Sequence, residues 1–119
     1  MELIFIYNAH SGKINTLIDF THKMVSPNTY QCQLCSLTYG NFGMKKDWKD
    51  FLNELDGKIT FLYQDQLPNL NYTPSQIPCI LVKINDNNIQ EIISAKELNN
   101  CSNVFDLMNL LKRNYKSFL

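Results

Sequence analysis

Segments rich in apolar residues predict four β-strands along the chain. The first run covers residues 3–7 and is followed by a polar turn at residues 8–12. A short run this rich in Leu, Ile, Phe and Tyr is typical of a strand that is buried on both faces. Three further strands are predicted at residues 58–63, 79–84 and 89–93, where apolar residues are interrupted by one or two polar ones. The Asn-rich segment between the last two has the composition of a hairpin turn, so these two strands are expected to pair antiparallel.

Helical spacing of apolar residues predicts four helices. Ser11 is the expected N-cap of the first, which follows the opening strand, and a second helix is predicted over residues 44–55. Ser94 and the Glu three residues later form the sequence of a capping box for a short third helix. The last helix is expected to begin near Ser102 or Asn103. Its apolar stripe consists of Val104, Leu107, Met108, Leu111 and Tyr115.

Together these elements predict a single α/β domain over residues 1–119. A chain of 119 residues has the length of one ordinary domain. The first strand reaches the second through a crossover, and crossovers of that kind join parallel strands. With the hairpin added, the expected architecture is a mixed four-stranded sheet with helices on both faces.

The charge and hydropathy of the chain argue against nucleic-acid binding and against a membrane protein. The chain carries 11 basic and 11 acidic residues, and Arg113 is its only arginine, whereas nucleic-acid binders concentrate basic residues on one face. No apolar run approaches the roughly 20 residues that span a bilayer. The first residues also lack the basic leader of a signal peptide. We therefore expect a cytoplasmic protein, in which thiols are kept reduced.

The most chemically distinctive feature is the segment Cys32-Gln33-Leu34-Cys35. Two thiols at this spacing can close a disulfide within one turn of chain, and a helix N-terminus beside the first thiol favours its reactive thiolate form. No Lys, Arg or His lies within six residues of Cys32. Free cysteine is also among the most buried residue types, so two inert core cysteines beneath Leu34 and Leu37 fit the pattern equally well. The pair leaves redox, metal-binding and structural roles open.

A zinc site is the metal-binding alternative. Structural zinc takes four Cys or His ligands, and the sequence has no second Cys-x-x-Cys. The candidate site requires His10 and Cys79 to lie at the same end of the sheet as the pair. Its ligands are Cys32, Cys35, Cys79 and His10. No other cofactor is expected.

In its strand order, its cysteine pair and the proline before its third strand, the chain resembles the thioredoxin-like superfamily. In that superfamily the pair lies near a cis-proline that opens the following antiparallel strand. The resemblance implies that Cys32 is the attacking thiol, Cys35 the resolving thiol and Pro78 the cis-proline. The chain differs in that 24 residues, with a predicted helix, separate Tyr7 from Cys32. The run Tyr-x-Cys-x-Leu-Cys-x-Leu-Thr-Tyr that ends at Tyr39 is also similar to one in small, uncharacterised bacterial proteins, which implies no activity.

The resemblance implies a thiol–disulfide oxidoreductase whose partners are protein thiols or disulfides. It further predicts that Cys32 is partly exposed and that the Ile77–Pro78 peptide bond is cis. Cys79 is then expected at the same end of the sheet as Cys32, as a third thiol within reach of the pair. The alternative at this position is an ordinary trans-proline followed by a core cysteine. The alternative function is a non-catalytic binding module of the same fold, with structural or zinc-binding cysteines.

Overall fold

The computed structural model describes residues 1–10, 32–40 and 43–117. The strands in these ranges are β1 (Glu2–Ile6), β2 (Tyr39–Gly40), β3 (Gly43–Met44), β4 (Lys58–Leu62), β5 (Cys79–Asn85) and β6 (Asn88–Ile93). The α-helices are α1 (Gln33–Thr38), α2 (Lys46–Glu54), α3 (Ala95–Asn99) and α4 (Val104–Lys116), and a 3₁₀ helix spans Gln64–Asn69. The predicted helix with Ser11 as its N-cap lies outside the described residues.

The four long strands form one mixed sheet in the order β4-β1-β5-β6. β1 runs parallel to β4, with Leu3 opposite Ile59, and antiparallel to β5, with Ile6 opposite Cys79. β5 and β6 form an antiparallel hairpin. The predicted parallel pairing of the first two long strands and the predicted hairpin are therefore confirmed. β2 and β3 form a separate ribbon that the sequence did not indicate, because two-residue strands show no periodicity.

The central strand β1 is buried on both of its faces. Leu3, Phe5 and Tyr7 point to what we call the first face of the sheet, and Ile4 and Ile6 point to the second face. Each of these side chains is at most 2% exposed. This double burial explains why the sequence of the strand is continuously apolar rather than alternating.

The two faces of the sheet are covered by different kinds of structure. The α-helices of the described chain pack on the first face, where they contribute Leu34 of α1, Trp48 of α2, Leu98 of α3 and Leu107 of α4. On the second face the strand residues pack against Leu67 of the 3₁₀ helix and against other parts of the segment between β4 and β5. On this face the described residues supply a long loop with one 3₁₀ helix. The predicted helix with Ser11 as its N-cap lies outside the described residues, so the expectation of helices on both faces stays a prediction.

Capping side chains define where the last two helices begin. The Glu97 N–H donates to Ser94 Oγ at 3.1 Å, and the Ser94 N–H donates to Glu97 Oε1 at 3.0 Å, so the predicted capping box is confirmed. The Asp106 N–H donates to Asn103 Oδ1 at 3.0 Å, which starts α4 at the predicted position.

None of the helices in the described ranges is long and apolar enough to cross a membrane.

The turn between α2 and β4 depends on a glycine. Gly57 has a φ of +97°, a conformation that residues with a side chain rarely adopt. A Cβ at this position would lie 2.8 Å from the carbonyl oxygen of Met1. The same carbonyl accepts a hydrogen bond from the Lys58 N–H at 3.2 Å, and the neighbouring carbonyl of Asp56 accepts one from the hydroxyl of Tyr115 at 3.0 Å. The turn therefore connects α2, the sheet and α4.

Gly57→Ala is expected to lower the free energy of unfolding by more than Gly43→Ala does. Both glycines have a φ of +97°, so each substitution carries a backbone cost of roughly 1–2 kcal/mol. Among the residues that the structure describes, a Cβ at Gly43 meets no atom within 4 Å, whereas a Cβ at Gly57 meets the Met1 carbonyl. Urea unfolding of the two variants in one buffer measures the difference. Equal losses in the two variants would contradict the importance of the close approach to Met1.

Candidate functional site

The cysteine pair forms the beginning of α1. Cys32 is the N-cap of this helix, and its Sγ accepts a hydrogen bond from the Cys35 N–H at 3.3 Å, in the way that a Ser or Asp oxygen does at other helix starts. The Cys32 carbonyl accepts a hydrogen bond from the Ser36 N–H at 3.1 Å. At the other end of the helix, the buried hydroxyl of Thr38 donates to the Leu34 carbonyl at 2.7 Å. These local bonds hold the first cysteine at the helix N-terminus.

A second backbone group reaches Cys32 from the sheet. The Asn8 N–H donates to Cys32 Sγ at 3.3 Å, although the two residues are 24 positions apart. The chain around Asn8 is held by its neighbours, because the Tyr7 N–H donates to the last residue of β4 at 2.9 Å and the Gln64 N–H donates to the Ala9 carbonyl at 2.8 Å. The pair therefore lies in space at the carboxyl end of β1, despite its distance from β1 along the sequence.

The two sulfurs of the pair lie within disulfide-bonding distance, and the two Cα atoms are 5.2 Å apart, as in ordinary disulfides. Cys32 is 1% exposed and Cys35 is 0% exposed. The expectation that Cys32 is partly exposed is therefore wrong for this structure. The physical reason is that Leu34 and Leu37 lie in the core of the first face together with the pair, so the whole turn is drawn into apolar surroundings.

Pro78 and Cys79 lie at the same end of the sheet as the pair. The Ile77–Pro78 peptide bond is cis, as predicted. Cys79 begins β5 directly opposite Ile6, the last residue of β1, so its predicted end of the sheet is confirmed. Cys79 belongs to the core of the second face, however, whereas the pair belongs to the first. The expectation of a third thiol within reach of the pair is wrong, because alternate residues of a strand point to opposite faces and the sheet lies between them.

Cys79 has surroundings that keep its thiol protonated. Burial, and then the negative charge of Glu91 and a hydrogen bond to it, raise the pKa of Cys79 to about 12. Glu91 pairs with Leu81 across the β5–β6 hairpin, and burial together with the charge of Glu97 raises its own pKa. Because the thiolate is the reactive form of cysteine, the raised pKa disfavours reaction of Cys79 at neutral pH.

The four predicted zinc ligands are not brought together. The sulfurs of Cys32 and Cys35 are within bonding distance of each other, and Cys79 lies on the other face of the sheet. His10 Nε2 lies 3.8 Å from Asp65 Oδ2. Within the described ranges, no group of three or more Cys, His, Asp or Glu residues is arranged to hold a metal ion. The predicted zinc site is therefore corrected, because alternate residues of β5 point to opposite faces of the sheet and Cys79 points away from the pair.

Gln33, the first residue inside the pair, connects α1 to the junction between α3 and α4. Its Nε2 donates to the carbonyl of Cys101 at 2.9 Å, and its Oε1 accepts a hydrogen bond from the hydroxyl of Ser36 at 3.1 Å. Cys101 is buried, and burial together with the charges of Asp106 and Glu97 raises the pKa of its thiol. Cys101 also lines a cleft of about 640 Å³ between α3 and α4.

Sequence reasoning found the pair by its spacing and missed the two groups that position it. The Asn8 contact is made by a backbone N–H, so no side-chain pattern announces it. Gln33 lies inside the recognised segment, but its acceptor is 68 residues further along the chain. The polar side chain of Gln33 next to the apolar Leu34 is the one signal in the sequence, and it does not indicate which group accepts its hydrogen bond.

Comparisons with models of protein families, with curated proteins and with solved structures return no match for this chain. Its class is therefore defined by its own fold and site. The chain is a mixed α/β domain with a Cys-x-x-Cys pair at disulfide distance.

Cys79→Ala is expected to make the stability less sensitive to alkaline pH. The pKa of the folded thiol is raised to about 12, so its contribution to stability is present below the ordinary cysteine value of about 8.5 and is lost as the pH rises toward 12. Between about pH 7 and about pH 10, the free energy of unfolding of the wild type is expected to fall by about 2 kcal/mol more than that of the variant. Denaturant unfolding of both oxidised proteins at both pH values measures this, and equal losses would contradict the raised pKa.

Proposed function

We propose that the protein carries out thiol–disulfide exchange with protein thiols or disulfides of the cytoplasm, and that Cys32 is the attacking thiol. The observation that carries the proposal is the convergence of two backbone N–H groups, those of Asn8 and Cys35, on Cys32 Sγ. Hydrogen bonds to a charged sulfur stabilise it, and the thiolate is the nucleophilic form. These donors favour reactivity at Cys32, a residue with no Lys, Arg or His within six positions along the sequence.

In the proposed exchange, the reduced Cys32 thiolate attacks one sulfur of a partner disulfide. A bond forms between Cys32 Sγ and that sulfur, the partner's S–S bond breaks, and its second sulfur leaves as a thiolate that takes up a proton. The Cys35 thiolate then attacks Cys32 Sγ, and the remaining partner sulfur leaves as a thiol. The partner gains two electrons and the pair becomes a disulfide. In the reverse direction, the same two N–H donors stabilise Cys32 as the leaving thiolate.

The topology supports a thioredoxin-like arrangement for this reaction. The pair meets the carboxyl end of β1, and Pro78 stands at the start of β5, the antiparallel neighbour of β1. The pairing of Cys79 with Ile6 places Pro78 at the end of the sheet where Asn8 contacts Cys32. In this proposal, Pro78 shapes the groove that receives the partner chain.

Burial of the pair sets a condition on the proposed reaction. Cys32 is 1% exposed, so a partner disulfide reaches its sulfur only after local opening around α1. Local opening of this kind occurs with free energies well below that of global unfolding. The rate of exchange is then the product of the open fraction and the reactivity of the thiolate.

The same burial favours a second candidate function. A non-catalytic binding module would use the Cys32–Cys35 bond as a structural cross-link under the leucines of α1. Closing so short a loop stabilises a fold by about 2 kcal/mol on chain-entropy grounds. The two functions differ in whether the reduced Cys32 reacts in the native protein.

Trapping of a mixed disulfide is expected to distinguish the two functions. The reduced Cys35→Ser variant, mixed with an aromatic disulfide reagent, is expected to release one reagent thiol and keep the other half bound to Cys32. Cys32→Ser is the matched control, and Cys35 in that variant is expected to react more slowly because it lacks the Asn8 donor. Intact mass and peptide mapping identify the modified residue.

Cys101 serves as the internal reference in the same digest, because it is buried and its thiol has a raised pKa. Faster modification of Cys32 than of Cys101 supports exchange. Modification of Cys32 no faster than Cys101 in the folded, reduced protein would rule out the oxidoreductase and leave the binding module.

A further inference from the structure

The side-chain amide of Gln33 has a partner at each end. Its Nε2 donates to the Cys101 carbonyl at 2.9 Å, and its Oε1 accepts from the hydroxyl of Ser36 at 3.1 Å. The Cys101 carbonyl lies in the short segment between α3 and α4, outside both helices. The Ser36 hydroxyl lies at the same distance, 3.1 Å, from the backbone carbonyl of Gln33, so the bond to the Cys101 carbonyl is the contact that joins Gln33 to a different element.

This contact fixes the segment between the two cysteines to the rest of the fold. α1 has six residues, and so short a helix is not stable without tertiary contacts. Asn8 holds its N-cap, Cys32, to the sheet, and Gln33 holds its first turn to the α3–α4 junction. Both contacts are present when the sulfurs lie at bonding distance.

We propose that Gln33 is a positioning residue that stabilises the disulfide form of the pair relative to the dithiol form. The equilibrium between these forms depends on how closely the folded chain holds the two sulfurs together. A tether that keeps the first turn of α1 in place raises the effective concentration of one thiol at the other. Loss of the tether is therefore expected to make the disulfide easier to reduce. The inference rests on the proposed exchange at the same pair.

Two variants remove the tether in different ways. Gln33→Glu keeps the size of the side chain and the acceptor for Ser36, but it loses the donor to the Cys101 carbonyl. Gln33→Ala removes both contacts. Gln90→Ala is the matched control, because Gln90 is an exposed glutamine of β6 whose amide donates to Asn88 Oδ1 of the same strand at 3.2 Å.

The first measurement is the equilibrium of the pair with dithiothreitol, followed by differential alkylation and mass spectrometry. Reduction of the pair consumes one dithiol and produces one cyclic disulfide, so the equilibrium constant is read from the fraction reduced. Loss of the hydrogen bond to the Cys101 carbonyl predicts that the equilibrium constant for reduction of the pair rises about fivefold in both Gln33 variants. Gln90→Ala is expected to match the wild type. Ser36→Ala, which keeps the donor of Gln33, is expected to change the constant by less than Gln33→Ala.

The second measurement is urea unfolding of each variant in its oxidised and its reduced form. The proposal requires Gln33→Glu to destabilise the oxidised form more than the reduced form. Equal destabilisation of both forms, with an unchanged dithiothreitol equilibrium, would show that Gln33 is only structural and would overturn the proposal. If Cys32 fails to trap a mixed disulfide, the proposed function fails, whereas the unfolding difference still tests Gln33 by itself.

Discussion

Strand β1 is the element on which the rest of the structure depends. It pairs with β4 on one side and with β5 on the other, and its side chains are buried on both faces. Its backbone groups are therefore satisfied by neighbouring strands rather than by water. Just past the last paired residue, the Asn8 N–H donates to Cys32 Sγ. The strand that forms the centre of the core also determines where the cysteine pair lies.

The pleat of the sheet decides which cysteines share an environment. Cys79 and the pair lie at one end of the sheet, but on different faces. A shift of one residue in the register of β5 would place Cys79 on the face of the pair and move Ile80 to the other side. As the strands are paired, Cys32 Sγ receives two N–H donors, whereas Cys79 lies beside the carboxyl group of Glu91. The two sulfurs therefore have different surroundings although they lie at the same end of the sheet.

Helix α1 shows how a short element acquires a defined place. Its six residues form too few internal hydrogen bonds to be stable alone. Three contacts position it, and each comes from a different layer of the fold. Asn8 approaches from the sheet, Gln33 reaches the α3–α4 junction, and the apolar side of the helix, with Leu34, enters the core of the first face. The position of the pair therefore depends on how α1 packs against the rest of the domain.

The sequence by itself determined the four long strands, the later helices and the identity of the cysteine pair. Apolar runs, helical spacing and capping residues such as Ser94 and Asn103 act over two to four positions, so they can be read along the chain. The tertiary structure alone decided the burial of Cys32, the face on which Cys79 lies and the acceptor of Gln33. The Asn8 bond to Cys32 and the Gln33 bond to Cys101 join residues 24 and 68 positions apart. Contacts at such separations arise from the packing of whole elements rather than from a local sequence pattern.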